Sequence, residues 1–162
     1  MKQKSFYVNL FTNKENIKIK GDRNMKEKKI LDYKQNTELF NETAKEWAER
    51  IAKDTEKIQK GTKKIQKGTK KIQKGTTKTQ VRNFYNKVLE LCERSEREEW
   101  DDIVPFVKML NSKVAYGRSR EVVSDEFQEM MKQCIADVEE KSDLKTFKLF
   151  FEAVIGFFQG RD

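Results

Sequence analysis

The sequence predicts an all-α protein, a compact bundle of about four to five helices preceded by a long basic N-terminal extension that is helical or flexible. Apolar residues recur at spacings of three and four through residues 77–162, as on a helix with one buried face. No segment shows the strict alternation of a half-buried strand. Apolar residues are 22 of the 76 in 1–76 and 36 of the 86 in 77–162, so the second part has the composition of a folded domain.

Residues 1–25 form a segment to which the sequence assigns no structure, although a short apolar patch lies at Phe6–Phe11. Residues 26–56 follow as an amphipathic helix that Asn24 can cap. Its apolar face is expected to pack, either on the protein's own domain or on a second copy. The members of this face are Ile30, Tyr33, Thr37, Phe40, Ala44, Trp47 and Ile51.

Residues 57–76 form a Lys-rich heptad repeat, in which the seven-residue sequence KIQKGTK occurs twice and a third copy ends in Thr77. Because seven residues make two helical turns, Ile58, Ile65 and Ile72 would share one side of a helix. A glycine in each copy costs a helix interior about 1 kcal/mol, so a frayed or conditional helix is expected. The repeat is either a solvated flexible tether or an electrostatic arm that binds phosphates.

Residues 77–162 form the predicted core domain, with four helices. The first begins at Thr77 or Thr79 and ends near Ser95. The second has Pro105 in its first turn, where the missing N–H costs nothing, and ends at Gly117.

The third predicted helix is capped by Ser124, and acidic residues follow in its first turn. The fourth starts at Ser142 with Asp143 and ends at Gly160. The large apolar residues of these two helices are assigned to the core or to a subunit interface. They are Met130, Met131, Phe147, Phe150, Phe151, Phe157 and Phe158.

The formal net charge of +8 is unevenly distributed. Residues 1–56 carry 13 basic and 10 acidic side chains, residues 57–89 carry 11 and none, and residues 90–162 carry 11 and 17. The basicity therefore belongs to the repeat and the first core helix, and the rest of the domain is acidic. A concentrated basic segment favours a polyanionic partner, with nucleic acid first and an anionic membrane surface second.

The residue types argue against an enzyme. The chain has no histidine, which excludes every histidine-dependent triad and most metal sites. Its two cysteines, Cys92 and Cys134, lie on apolar faces and are expected to be buried thiols in a reducing cytoplasm. Adjacent acidic pairs point about 100° apart on a helix and do not converge on one substrate atom. No cofactor, metal, small-molecule substrate or membrane span is predicted.

Basic residues of the core domain cluster at two helix ends. They are Lys78, Arg82 and Lys87 at the start of the first helix, and Lys113, Arg118 and Arg120 around the end of the second. Arginine can present its planar fork to phosphate oxygens, and Tyr116 beside this turn can stack on a base. A solvated helix end, with cations complementing the helix dipole, explains these residues equally well.

Three motifs suggest a family. Residues 77–85 read TKTQVRNFY, residues 110–118 read LNSKVAYGR, and residues 147–154 read FKLFFEAV. In order and spacing they resemble the landmarks of the small subunit of type III-A CRISPR effector (Csm) complexes. The resemblance covers roughly residues 76–162 and does not include the N-terminal extension.

The resemblance implies a non-catalytic helical subunit that takes part in antiviral defence. Such a subunit stacks in multiple copies and holds guide RNA and target RNA by their backbone phosphates, regardless of sequence. Its partners would be both RNAs, the other Csm subunits and further copies of itself. The residues assigned to RNA binding are Lys78, Arg82, Lys113, Arg118 and Arg120.

The resemblance also implies that Phe84, Tyr85 and Tyr116 serve in packing. If copies stack, we expect the acidic stretch 93–102 of one copy to approach basic residues of its neighbour.

The main alternative is a helical scaffold or dimerisation protein. In it a helix over residues 26–76 pairs with a second chain through Phe40, Trp47 and Ile51, while the lysines are merely solvated. A polybasic membrane-surface adaptor is a further alternative, although no lipidation signal or aromatic-rich basic helix supports it.

Overall fold

The structure, a computed structural model, describes residues 29–63 and 75–158. Within these two ranges it consists of helices and turns without a β-strand, so the predicted all-α class is confirmed. A π-helical turn, Leu39–Thr43, leads into the first of five α-helices. The helices are α1 (Ala44–Lys63), α2 (Lys78–Ser95), α3 (Trp100–Ser119), α4 (Asp125–Asp137) and α5 (Lys141–Phe157).

Helix α2 runs antiparallel to α5, and α3 runs antiparallel to α4. Along the α2 and α5 pair, the Tyr85 hydroxyl donates to the Glu152 carboxylate (3.3 Å) and the Cys92 thiol donates to the Leu144 carbonyl (3.5 Å). α3 packs on α4, and α1 contacts both α4 and α5. The starts of α2 and α4 and the ends of α1, α3 and α5 consequently lie at one end of the bundle.

Helix α5 supplies the centre of the hydrophobic core. Its Phe147, Phe150 and Phe151 are fully buried. The rings of Phe147 and Phe151 stack at a centroid distance of 5.9 Å, and Phe127 of α4 lies 6.1 Å from Phe151. Other core residues expected from the sequence are also buried, namely Met130, Met131 and Phe158, whereas Phe157 is exposed.

The apolar face of α1 packs within the same chain. Trp47, Ala48 and Ile51 are buried, and their helix contacts α4 and α5. This corrects the inter-chain seam of the scaffold alternative, because Trp47 and Ile51 already lie in the protein's own core.

Helical structure starts later than the sequence indicates. Residues 30–38 fold largely as turns, and within the described residues helical structure begins at Leu39, whereas the sequence predicts a helix from residue 26. The Asp32 carboxylate accepts hydrogen bonds from the backbone N–H groups of Lys34 and Gln35 (both 3.2 Å), a local arrangement that competes with helix formation. The predicted segment 1–25, the cap Asn24 and repeat residues 64–74 lie outside the described residues.

Two predicted N-caps are confirmed. The Thr77 hydroxyl accepts from the Gln80 N–H (3.3 Å), while the Thr77 N–H donates to the Gln80 side chain (2.9 Å), which completes a capping box. The Ser124 hydroxyl accepts from the Phe127 N–H (3.3 Å). Helix α2 ends at Ser95 as expected.

The predicted limits of α3 are wrong at both ends. Because α3 begins at Trp100, Pro105 lies inside the helix and not in its first turn. Gly117 is buried within α3 and does not end it. A Cβ at Gly117 would lie 3.3 Å from Val123 Cγ2, so glycine lets the following turn pack on the helix.

Helix α5 also starts before its predicted cap, Ser142. Glu140 is the N-cap, and the Asp143 carboxylate accepts a hydrogen bond from the Glu140 N–H (3.1 Å). The predicted end at Gly160 lies outside the described residues.

Replacing Ile51 with alanine tests the packing of α1 inside the bundle. Ile51 is fully buried, so the free energy of unfolding of the full chain is expected to fall by about 2–5 kcal/mol. Urea denaturation followed by circular dichroism measures this change. Lys53→Ala, exposed on the same helix, is the control and should change the value by less than about 0.5 kcal/mol. Unchanged stability with weakened dimerisation would instead support the inter-chain seam.

Candidate nucleic-acid interface

The interface residues predicted from the sequence lie towards one end of the bundle, where α2 and α4 begin and α1, α3 and α5 end. We call this end the basic pole and define it by residues 75–82 and 116–125. A backbone hydrogen bond from the Gly75 N–H to the Glu121 carbonyl (2.8 Å) joins its two segments. The pole therefore brings together the start of α2 and the end of α3, which are far apart in the sequence.

Three buried hydroxyl residues fix this junction. The Thr76 N–H donates to the Thr55 hydroxyl (3.1 Å), and the Thr76 hydroxyl donates to the Ser124 hydroxyl (3.0 Å). The Ser124 N–H donates in turn to the Thr76 hydroxyl (2.8 Å). Hydrogen bonds between buried groups satisfy each other's polar atoms and specify one arrangement. The sequence contained no signal for this cluster, because its members belong to three separate segments.

The Lys-rich repeat begins and ends near the basic pole. Its first copy forms the last two turns of α1, which continue about 12 Å beyond Thr55 at 1.5 Å per residue. Gly75 and Thr76 of the third copy lie in the junction. The intervening residues 64–74, outside the described part, contain five lysines and no acidic residue. The described ends of this lysine-rich sequence thus both lie at or beyond the basic pole.

Lys78 and Arg82 lie in the first part of α2. They line a shallow cavity of about 140 Å³ together with Val81, Ile155 and Phe158. The first turn of α2 has no acidic residue, whereas those of α1, α3, α4 and α5 each have at least one. Cations at a helix N-terminus oppose the helix dipole, so Lys78 does not stabilise α2 electrostatically. The positive charge at this helix start is therefore not balanced by an acidic residue of the first turn.

A second set of residues lies on the exposed side of α3. Lys113 is exposed, and Tyr116 keeps 62% of its surface exposed. The Arg120 guanidinium donates to the Tyr116 hydroxyl (3.1 Å) and lies over its ring, 5.5 Å from the centroid. Packing is therefore the wrong assignment for Tyr116. This ring and its arginine form a solvent-facing platform of the kind on which bases stack.

The other two aromatic residues assigned to packing do pack. Phe84 lies 5.3 Å from Phe127, and Tyr85 lies 5.9 Å from Phe151 in an edge-on contact.

Arg118 is engaged within the protein. Its Nη2 donates to Asp125 Oδ2 (2.8 Å), and its Nε donates to the other carboxylate oxygen. This bidentate pair lowers the pKa of Asp125 and raises the pKa of Arg118. The pair ties the end of α3 to the start of α4. Of the five residues predicted to bind RNA, Arg118 is therefore the one whose guanidinium is paired with a carboxylate within the described part of the chain.

The opposite end of the bundle is acidic. We call it the acidic pole and define it by residues 93–102 and 137–143. Residues 93–102 contain six acidic and two basic side chains. Arg94 is paired with Glu98 (2.8 Å), which lowers the pKa of that carboxyl. Glu99, Asp101 and Asp102 are exposed at the same end.

The described residues offer no constellation for metal or thiol chemistry. Across 29–63 and 75–158 no group of three or more acidic or cysteine side chains is placed to hold a metal ion. Burial raises the pKa of the Cys92 thiol to about 11 and that of Cys134 well above its ordinary value. None of the helices in these ranges is long and apolar enough to cross a membrane.

Comparison with known proteins decides the family. The model of the family described as Csm2 Type III-A matches residues 52–160, about two thirds of the chain. The chain belongs to the Csm2 family. It is therefore a small subunit of type III-A Csm complexes, as the three motifs suggested. No match was found among curated proteins or among solved structures.

The matched residues run from the middle of α1 to the end of α5. Residues 29–51 precede the Csm2 match, yet Leu31, Leu39, Ala44 and Trp47 are buried in the same core. Residues that precede the matched span thus belong to the same hydrophobic core as the matched ones.

A glycine substitution tests the junction at the basic pole. Gly75 has a φ of +92°, and a Cβ there would lie 2.7 Å from Thr55 Cγ2. Gly75→Ala is therefore expected to lower the free energy of unfolding by roughly 1–3 kcal/mol, measured by urea denaturation.

The control is Gly61→Ala, at the same position of the first repeat copy. Gly61 lies in α1 with no atom within 4 Å of an added Cβ, so this change should stabilise the protein by up to about 1 kcal/mol. Equal effects of the two substitutions would contradict the described junction.

Proposed function

We propose that this Csm2-family subunit is a non-catalytic, cytoplasmic RNA-binding component of the type III-A effector complex in antiviral defence. It binds the backbones of guide RNA and target RNA independently of sequence, through the basic pole and the adjoining side of α3. The observation that carries this proposal is the start of α2, where Lys78 and Arg82 lie in and next to a first turn that has no acidic residue. Such a helix start attracts phosphate by both its dipole and its side chains.

The other binding residues contribute in different ways. Lys113 supplies a point charge, and Arg120 with Tyr116 supplies a platform for stacking and phosphate contact. Arg118 contributes less, because its Nε and Nη2 already donate to Asp125. None of these contacts reads a base edge, which agrees with binding that ignores sequence.

We further propose that copies associate with one another and with the other Csm subunits by contact between the acidic pole and basic side chains of the neighbouring protein, which leaves Lys78, Arg82 and Lys113 facing the RNA. The acidic pole exposes Glu99, Asp101 and Asp102, and the basic pole lies at the other end of the same bundle. A contact between unlike surfaces is head-to-tail, and where the rotation between copies does not close a ring it generates an open row of subunits. Such a row suits a subunit that follows an extended RNA.

Removing three cations tests the RNA contacts. The variant Lys78→Ala/Arg82→Ala/Lys113→Ala should bind single-stranded RNA at least about tenfold more weakly. The slope of log affinity against log salt should flatten by about 2, because each phosphate contact to a single strand contributes about 0.7. Fluorescence anisotropy with a labelled RNA at several salt concentrations measures both quantities.

The matched control removes the same net charge elsewhere. It replaces three exposed cations by alanine, namely Lys53, Arg97 and Lys132. If both triple variants bind alike, the location of the charge is irrelevant and the assignment fails. If glutamine in place of the five lysines within 64–74 abolishes binding while the first variant binds normally, the repeat and not the helical bundle is the RNA-binding part.

Neutralising the acidic pole tests the head-to-tail contact. The variant Glu99→Gln/Asp101→Asn/Asp102→Asn should lose the association seen by sedimentation velocity at about 50 mM salt. The unaltered protein should lose that association at about 500 mM salt, where the Debye length is close to 4 Å. The control variant neutralises three exposed acids of the first helical segment, namely Glu42, Glu46 and Glu49. Association that is insensitive both to salt and to the acidic-pole variant would contradict the proposal.

A further inference from the structure

One groove at the acidic pole collects exposed apolar side chains. Tyr33 and Leu149 are each 48% exposed and Phe40 is 37% exposed. All three line the same groove, which has a volume of about 560 Å³. Among the described residues, four further large apolar side chains are exposed, and those lie elsewhere: Phe106, Met109, Tyr116 and Phe157.

The groove has the form of a binding site for an apolar chain segment. The rings of Tyr33 and Phe40 stack with centroids 6.5 Å apart and planes 29° apart. Leu31, only 5% exposed, also lines the groove. The Leu31 N–H donates to the Asp137 carboxylate (3.0 Å), which ties the segment carrying Tyr33 to the end of α4. The apolar surface is thus held in place and remains uncovered.

The rim of the groove is more acidic than basic. It includes the carboxylates of Asp32, Asp137, Glu140 and Asp143 and the ammonium groups of Lys29, Lys34 and Lys145. Two of these cations are already paired, Lys29 with Glu139 (2.9 Å) and Lys145 with Glu96 (2.9 Å). A segment that enters the groove should therefore be apolar in its centre and basic at its ends.

The chain itself contains such a segment. Residues 6–11 read FYVNLF, in which five of six residues are apolar, and they lie outside the described part. Lys2 and Lys4 precede them and Lys14 follows, and no acidic residue occurs before Glu15. The segment therefore matches the groove in both hydrophobicity and charge.

The connection between the two is short. Seventeen residues, 12–28, separate Phe11 from Lys29, and Lys29 itself lines the groove. Seventeen residues reach at most about 60 Å, so the segment is tethered near the groove and its effective concentration there is high. A weak apolar contact is sufficient for occupancy at such a concentration, so a second copy of the chain would compete poorly.

We propose that residues 6–11 bind in this groove of their own chain and cover Tyr33, Phe40 and Leu149. Binding removes apolar surface of both partners from water, and the acidic rim contacts the flanking lysines. The bound segment lies at the acidic pole, away from the residues proposed to contact RNA. The inference does not depend on the proposed function.

Disulfide trapping in the full chain tests the docking. The variant Val8→Cys/Leu149→Cys places one thiol in the segment and one in the groove, and Val8→Cys/Met109→Cys is the control with a similarly exposed partner outside the groove. The native Cys92 and Cys134 are buried and do not compete for oxidation. In dilute protein the groove pair should form an intramolecular disulfide at least about tenfold faster than the control pair, as read by mass spectrometry.

A second pair of variants tests the apolar contact itself. Adding Phe6→Ser and Phe11→Ser to the groove pair should slow its trapping to the control rate, whereas Ile17→Ser and Ile19→Ser in the connection should not. Equal rates for the groove and control pairs overturn the proposal. A disulfide that forms only between two chains shows that a second copy occupies the groove and overturns docking within one chain. The proposal is also overturned if the groove pair forms its disulfide equally fast with and without Phe6→Ser and Phe11→Ser.

Discussion

The packing of the phenylalanines on α5 is the interaction on which the rest of the structure depends. Phe147, Phe150 and Phe151 are buried between helices that come from distant parts of the chain. Because side chains three and four residues apart share a helix face, this set holds α1, α2 and α4 in the core. The antiparallel order that results places the start of α2 beside the end of α3. Both surfaces proposed to bind partners follow from that order.

The same order of helices places positive and negative charges at opposite ends of the bundle. The net charge of the sequence gives only their sum. The chain has a formal net charge of +8, yet the bundle has a basic pole and an acidic pole. At the basic pole, internal pairing distinguishes otherwise similar cations: Arg118 is held by Asp125, while Arg120 lies over an exposed ring. A guanidinium that already donates to a carboxylate has fewer N–H groups for a phosphate. Charge counting alone therefore overestimates how many basic residues can contact RNA.

The part of the chain that precedes the Csm2 match is integrated into the fold. Residues 29–51 lie before the matched span, but Leu39, Ala44 and Ile51 are fully buried. Leu31, Tyr33 and Phe40, from the same part of the chain, line the apolar groove at the acidic pole. The Lys-rich repeat lies inside the matched span and is anchored at its described ends, by α1 and by the hydroxyl cluster around Thr76. The described residues before position 52 and the matched residues after it thus build one hydrophobic core.

The sequence by itself determined the fold class, the four helices after residue 77, two of their caps, most of the core and the family. These features depend on local spacing and side-chain chemistry, which is why Thr77, Ser124 and Phe150 could be recognised. It misplaced the start of the first helical segment and the roles of Pro105, Gly117 and Tyr116, because neighbours distant in sequence decide them. Only the tertiary structure decided that Trp47 packs internally and that Arg118 is paired with Asp125. It alone joined Thr55, Thr76 and Ser124, since such contacts require helix ends to meet after the core has packed.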